Sequence, residues 1–145
     1  MGTWDIGPFD NDTAADFAGD LDEAAVEERE SMIRSVLKRA ADPAYYLDAP
    51  DAERAVAAAA LVVAQHPYGE PTCSIYGPSE PLPEFPADLR TLAVDALDQV
   101  IAELSELAEL WGEAADGPKW RQDITRLRDV LNPPIPPQEE TLFEI

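Results

Sequence analysis

Apolar residues recur along this chain at the spacing of helices. Phe17 and Leu21 stand four apart with Ala14, Ala18 and Ala25 on the same side, which predicts a short amphipathic helix over residues 13–23, weakened by Gly19 and packed at the edge of the fold. From Ala24 to Ala41 the positions Val26, Ile33, Val36, Leu37 and Ala40 share a face. Glu27, Glu28, Glu30, Arg34 and Lys38 point away from it, with Glu30 and Arg34 one helical turn apart and able to pair. Asp42-Pro43 stops that helix. Asp48, with Asp51 three residues on, marks the start of the next, whose segment ERAVAAAALVVAQ is apolar on nearly every side from Ala55 to Ala64. No face of it suits water, so it is the expected centre of the core, and its alanines let neighbouring helices come close. The strongest periodicity runs from Leu89 to Trp111 through Leu92, Ala93, Ala96, Val100, Leu104, Leu107 and Ala108, and predicts one long helix. After Gly117-Pro118, with Pro118 suited to a first helical position, Trp120, Ile124, Leu127 and Leu131 make one face of a last helix. The short connection makes these two an antiparallel hairpin, with Trp111 and Trp120 meeting across it.

Between the helices lie stretches that cannot sustain regular hydrogen bonding. Prolines at 67, 71, 78, 81, 83 and 86 turn residues 66–87 into a long loop, anchored by Tyr68, Ile75, Tyr76, Leu82 and Phe85. Residues 132–145 begin as a polyproline segment, PPIPP, and end on Leu142, Phe143 and Ile145. No segment alternates as a strand does. The expected architecture is therefore all-α: a compact bundle of about five helices forming one domain over residues 1–145, with an N-terminal turn at 1–12, a long proline-rich loop and an extended C-terminal tail. The short polar run Asp10-Asn11-Asp12-Thr13 fits the N-terminal cap of the first helix, with Thr13 and Asp16 spaced as a capping box. It does not fit a calcium loop, which needs glycine at its sixth position, so no metal site is expected there.

Charge changes this picture more than any motif does. The 145 residues hold 30 acidic and 10 basic side chains, a formal net charge of -20. Such a charge makes the compact state repel itself and attracts basic partners, while nucleic acid and anionic membrane are disfavoured. No apolar run approaches a membrane span, and Asp5 and Asp10 stand where a signal peptide needs basic and then apolar residues, so the expected compartment is the cytoplasm. The single cysteine, Cys73, fits a reducing environment. Phosphate-binding, dinucleotide and nucleophile-elbow glycine patterns are absent, as are partners for a zinc site, so no cofactor is implied.

Two functional readings survive. On the helix predicted over 89–111, at 100° per residue, Asp95, Asp98, Glu106, Glu109 and Glu113 fall in one narrow stripe opposite the apolar face, with Glu103 at its border and no basic residue between. Like charges at this spacing cost a few tenths of a kcal/mol per pair, and that cost suggests a use. The stripe either pairs with the basic patch Lys119, Arg121, Arg126 and Arg128 on the last helix or faces a basic protein partner, as an inhibitor, an immunity protein or a DNA mimic would. The second reading is a small hydrolase or ligand-binding domain with a site under the 66–87 loop, near His66, Tyr68, Cys73 and Tyr76.

Three segments also resemble a known family: the opening M-G-T-W-x-x-G-P-F-D-N-D-x-A-A-D, the block Y-L-D-A-P-x-x-E-R-A-V-A-A-A at 46–59, and S-E-L-A-E-L-W at 105–111 with Trp120 beyond. Together they are similar to a bacterial family of small proteins known as domain of unknown function 4259. The resemblance implies a small helical domain and supplies neither an activity nor catalytic residues.

Overall fold

The computed structural model describes residues 12–42, 47–65, 85–102 and 105–131, and among them six helices form: α1 (Asp12–Glu23), α2 (Val26–Ala41), α3 (Ala49–Ala64), α4 (Asp88–Val100), α5 (Glu106–Gly112) and α6 (Gly117–Leu131). The fold is all-α, a compact bundle with no strand among the described residues. The N-terminal turn, residues 66–84 of the long loop and the tail lie outside the described residues.

α3 is the centre of the bundle, as its all-round apolar character requires. Ala52 and every residue from Ala55 to Val63 are buried, and all five other helices pack against it. A buried leucine or valine contributes about 1.5–3 kcal/mol and a buried methyl about 0.8 kcal/mol, so the alanines of α3 matter chiefly by letting bulkier side chains converge. Those side chains are Leu21 of α1, Ile33 and Leu37 of α2, Leu89, Leu97 and Val100 of α4, and Ile124 of α6, all fully buried.

The periodicity over 89–111 picks out buried positions at Leu89, Ala93, Ala96, Val100, Leu107 and Ala108, with Leu92 and Trp111 half-buried and Leu104 outside the described residues, but the helix is not continuous. α4 ends at Val100 and α5 begins at Glu106. In an unbroken helix the Glu106 amide would donate to residue 102; here it donates to the Leu47 carbonyl at 2.9 Å. The Glu106 carboxylate in turn accepts the Ala49 amide at 2.7 Å, at the start of α3. Ser105, fully buried, caps α5 by accepting the Ala108 amide on Oγ at 3.3 Å. Two bonds to the start of α3 and one cap at the start of α5 thus replace one turn of helix. This break makes the helix count six instead of five.

Three smaller features complete the frame. Gly117 lies so close to the preceding helix that a Cβ there would sit 2.1 Å from the Trp111 carbonyl oxygen, so the α5–α6 corner admits no side chain. Across that corner Trp111 and Trp120 stack with ring centroids 5.8 Å apart and planes 7° from parallel. At the foot of the long loop the Phe85 amide donates to Gln65 Oε1 at 2.9 Å, which joins the two ends of the loop, and Phe85 itself is buried. Two expectations shift: Val26 is 49% exposed instead of buried, and Thr13 is the second residue of α1 instead of its cap.

Candidate functional site

A chain with 10 basic and 30 acidic side chains can place its few cations only sparingly, and their placement decides which acids remain uncompensated. Among the described residues, seven of the eight arginines have a partner within the chain. Arg34 of α2 reaches Glu30 at 3.3 Å, the pair expected from their spacing, and also forks onto both carboxylate oxygens of Asp88 at the start of α4. The Arg34 guanidinium hydrogen-bonded to Asp88 holds that carboxyl below the usual carboxylate range, and Asp88 with Glu30 raises the guanidinium in return. Arg39 and Arg54 converge on Asp51, at 2.9 Å and 3.1 Å. On α6, Arg126 pairs with Asp123 at 2.6 Å, and Arg121 donates to the Ile101 carbonyl at 3.1 Å, at the C-terminal end of α4. Arg128 binds Asp98 of α4, and that hydrogen bond raises the guanidinium pKa further.

The seventh is Arg29, on the second turn of α2 and 5% exposed. Its Nε donates to the Leu21 carbonyl at 2.7 Å and its terminal nitrogen to the Asp22 carbonyl at 3.3 Å. These are carbonyls of the last turn of α1, which carry the negative end of its dipole; the Leu21 carbonyl also accepts the Ala24 amide at 3.2 Å. Arg29 is thus the C-terminal cap of α1, supplied by the helix that follows.

Against this background the predicted acidic stripe separates. Asp95 is exposed on α4, but Asp98 is half-buried and paired with Arg128. Glu103 lies outside the described residues. Glu106 is half-buried and spent on the Ala49 amide, while Glu109 on α5 and Glu113 at its C-terminal end are exposed. The end of α4 at Val100 and the new start at Glu106 remove the constant 100° step that set these residues on one line, so they do not form a single helix face. Of the basic patch on α6, Arg128 pairs with Asp98 of the stripe, Arg126 with Asp123 of α6 itself, and Arg121 donates to the end of α4.

The uncompensated row lies elsewhere. Asp12, Asp16 and Asp20 follow one another four apart along α1, with Glu23 three beyond, and Glu27 and Glu28 open α2. All six are exposed, and Asp16, Asp20, Glu23, Glu27 and Glu28 have no ion-pair partner among the described residues. The nearest cation in sequence, Arg29, is turned inward to the α1 carbonyls. One sequence signal would have found this region, because no lysine or arginine occurs before Arg29 while nine acids do.

A groove of about 730 Å³ runs along the outer face of α6, lined by Pro118, Arg121, Gln122, Thr125, Arg126, Asp129 and Val130. Among the described residues no group of three or more His, Cys, Asp or Glu is placed to hold a metal ion, and no helix is long and apolar enough to cross a membrane. His66, Tyr68, Cys73 and Tyr76 lie outside the described residues.

Residues 2–123 match the family described as Domain of unknown function (DUF4259), and the chain belongs to that family. The matched span covers α1 to α5 and the first half of α6. No curated protein and no solved structure matches the chain.

Proposed function

We propose that this family member is a non-enzymatic helical protein of the cytoplasm that binds a basic protein partner, in the manner of an inhibitor, an immunity protein or a DNA mimic. The observation that carries the reading is the segregation of charge. Arg29 is buried as a helix cap and Arg34 and Arg128 bridge helices, while Asp16, Asp20, Glu23, Glu27 and Glu28 stay exposed and without an ion-pair partner among the described residues. Neighbouring acids on one helix repel by a few tenths of a kcal/mol per pair, a cost that interleaved lysines would remove. A partner that brings its own cations removes it too, and long-range attraction speeds the encounter. The candidate surface is the α1 row and the start of α2, with Asp95, Glu109 and Glu113 as a second acidic area.

The test is retention at two ionic strengths. The immobilised chain, exposed to a lysate of its source cells at about 50 mM salt, is expected to retain a basic protein that elutes at about 500 mM, where screening is effective beyond about 4–5 Å. The variant Asp16→Lys/Asp20→Lys/Glu23→Lys is expected to retain none of it. Retention indifferent to both salt and reversal would overturn the reading.

A further inference from the structure

Among the described helices α1 packs chiefly against a single neighbour, α3, and its acid row gives it the strongest electrostatic reason to leave. It buries Ala14, Phe17, Ala18 and Leu21, two of them alanines, and packs against α3. Its acids repel one another along its whole length and repel Glu27 and Glu28 at the start of α2, and Gly19 in its middle lowers its own helical propensity. Among the described contacts, departure is opposed by those four side chains and by the grip of Arg29 on the Leu21 and Asp22 carbonyls.

We infer that α1 is a salt-gated element, which undocks from α3 as a unit while α2 to α6 stay folded, with the acid row driving the opening and Arg29 setting its threshold. The two forces respond differently to ionic strength. At about 0.01 M the screening length is about 30 Å, longer than the helix itself, so every acid on α1 feels every other. At about 1 M it is about 3 Å, and neighbours one turn apart no longer do. The Arg29 contact is buried and within hydrogen-bond distance, so salt weakens it far less. Rising salt therefore closes α1. A helix of 12 residues does not hold alone in water, so undocking and unwinding are one event, and amide exchange reports it.

The experiment is hydrogen exchange of the full chain across a series of low denaturant concentrations, at low and at high salt. The α1 amides are expected to exchange through an opening with a smaller denaturant slope than that of α3, and about tenfold more slowly at high salt. The neutralised variant Asp16→Asn/Asp20→Asn/Glu23→Gln is expected to show, already at low salt, the slow α1 exchange of the unaltered chain at high salt. Arg29→Met is expected to speed α1 exchange about tenfold at either salt while most helical circular dichroism remains. A common slope for α1 and α3 would overturn the inference. So would α1 exchange that ignores salt, or a neutralised variant as salt-dependent as the original.

Discussion

α1 and α6 carry charge of opposite sign and treat it in opposite ways. On α6, Arg121, Arg126 and Arg128 each have a partner inside the molecule, and Arg121 and Arg128 tie the helix to α4. On α1 the acids Asp12, Asp16, Asp20 and Glu23 face solvent in a row, and the cation that serves the helix is buried against its backbone carbonyls. α6 is therefore held by large buried side chains with charge as reinforcement, whereas α1 is docked by few buried side chains against its own repulsion. The lesson is that net charge says little about a surface until the location of the minority charge is known.

The largest effect should come from the α6 side. Trp120, 3% exposed and stacked on Trp111, is its anchor, and Trp120→Ala is expected to lower the unfolding free energy by about 3–5 kcal/mol in urea titration, with α6 lost from the cooperative unit. On the α1 side Arg29→Met leaves two carbonyls of α1 without their charged donor and should cost about 1.5–3 kcal/mol in the same titration. If Arg29→Met instead proved the more damaging of the two, the contrast between the sides would be reversed.

A smaller effect tests the bond that divides α4 from α5. Glu106→Ala removes the acceptor at the start of α3 and is expected to cost about 0.5–2 kcal/mol, whereas Glu106→Gln, which keeps an acceptor oxygen, should cost a few tenths. The smallest effect is at Asp88, which is exposed. Because Arg34 holds its carboxyl below the ordinary value of about 4, the stabilisation is complete above that pH and is lost as pH falls through the lowered value. Asp88→Asn should therefore lower the melting temperature slightly at neutral pH, and the gap from the unaltered chain should close in strong acid.

Much of this frame is legible in the residues themselves. The all-apolar run of α3 can only be a central helix, and the Glu30–Arg34 pair and the Trp111–Trp120 stack follow from spacing alone. The break at 101–105 is not legible in the same way, because Leu97, Val100, Leu107 and Trp111 keep helical phase across it. Its cause is tertiary: the Leu47 carbonyl and the Ala49 amide, distant in sequence, offer Glu106 better partners than the next helical turn does. The predicted acidic stripe fell with that break and with the pairing of Asp98 to Arg128, a contact between residues 30 apart. The row on α1 needed no tertiary knowledge, only attention to where basic residues are missing.

The most direct test of the charge-segregation account compares two reversals of equal size. Asp16→Lys/Asp20→Lys/Glu23→Lys on α1 and Asp95→Lys/Glu109→Lys/Glu113→Lys on α4 and α5 change the net charge by the same amount, and each is titrated with the retained basic partner at low salt. The account predicts that the α1 reversal weakens binding at least about tenfold more than the other. Equal losses would mean that the partner senses only total charge, and a larger loss from the α4–α5 reversal would place the surface on α4 and α5 instead.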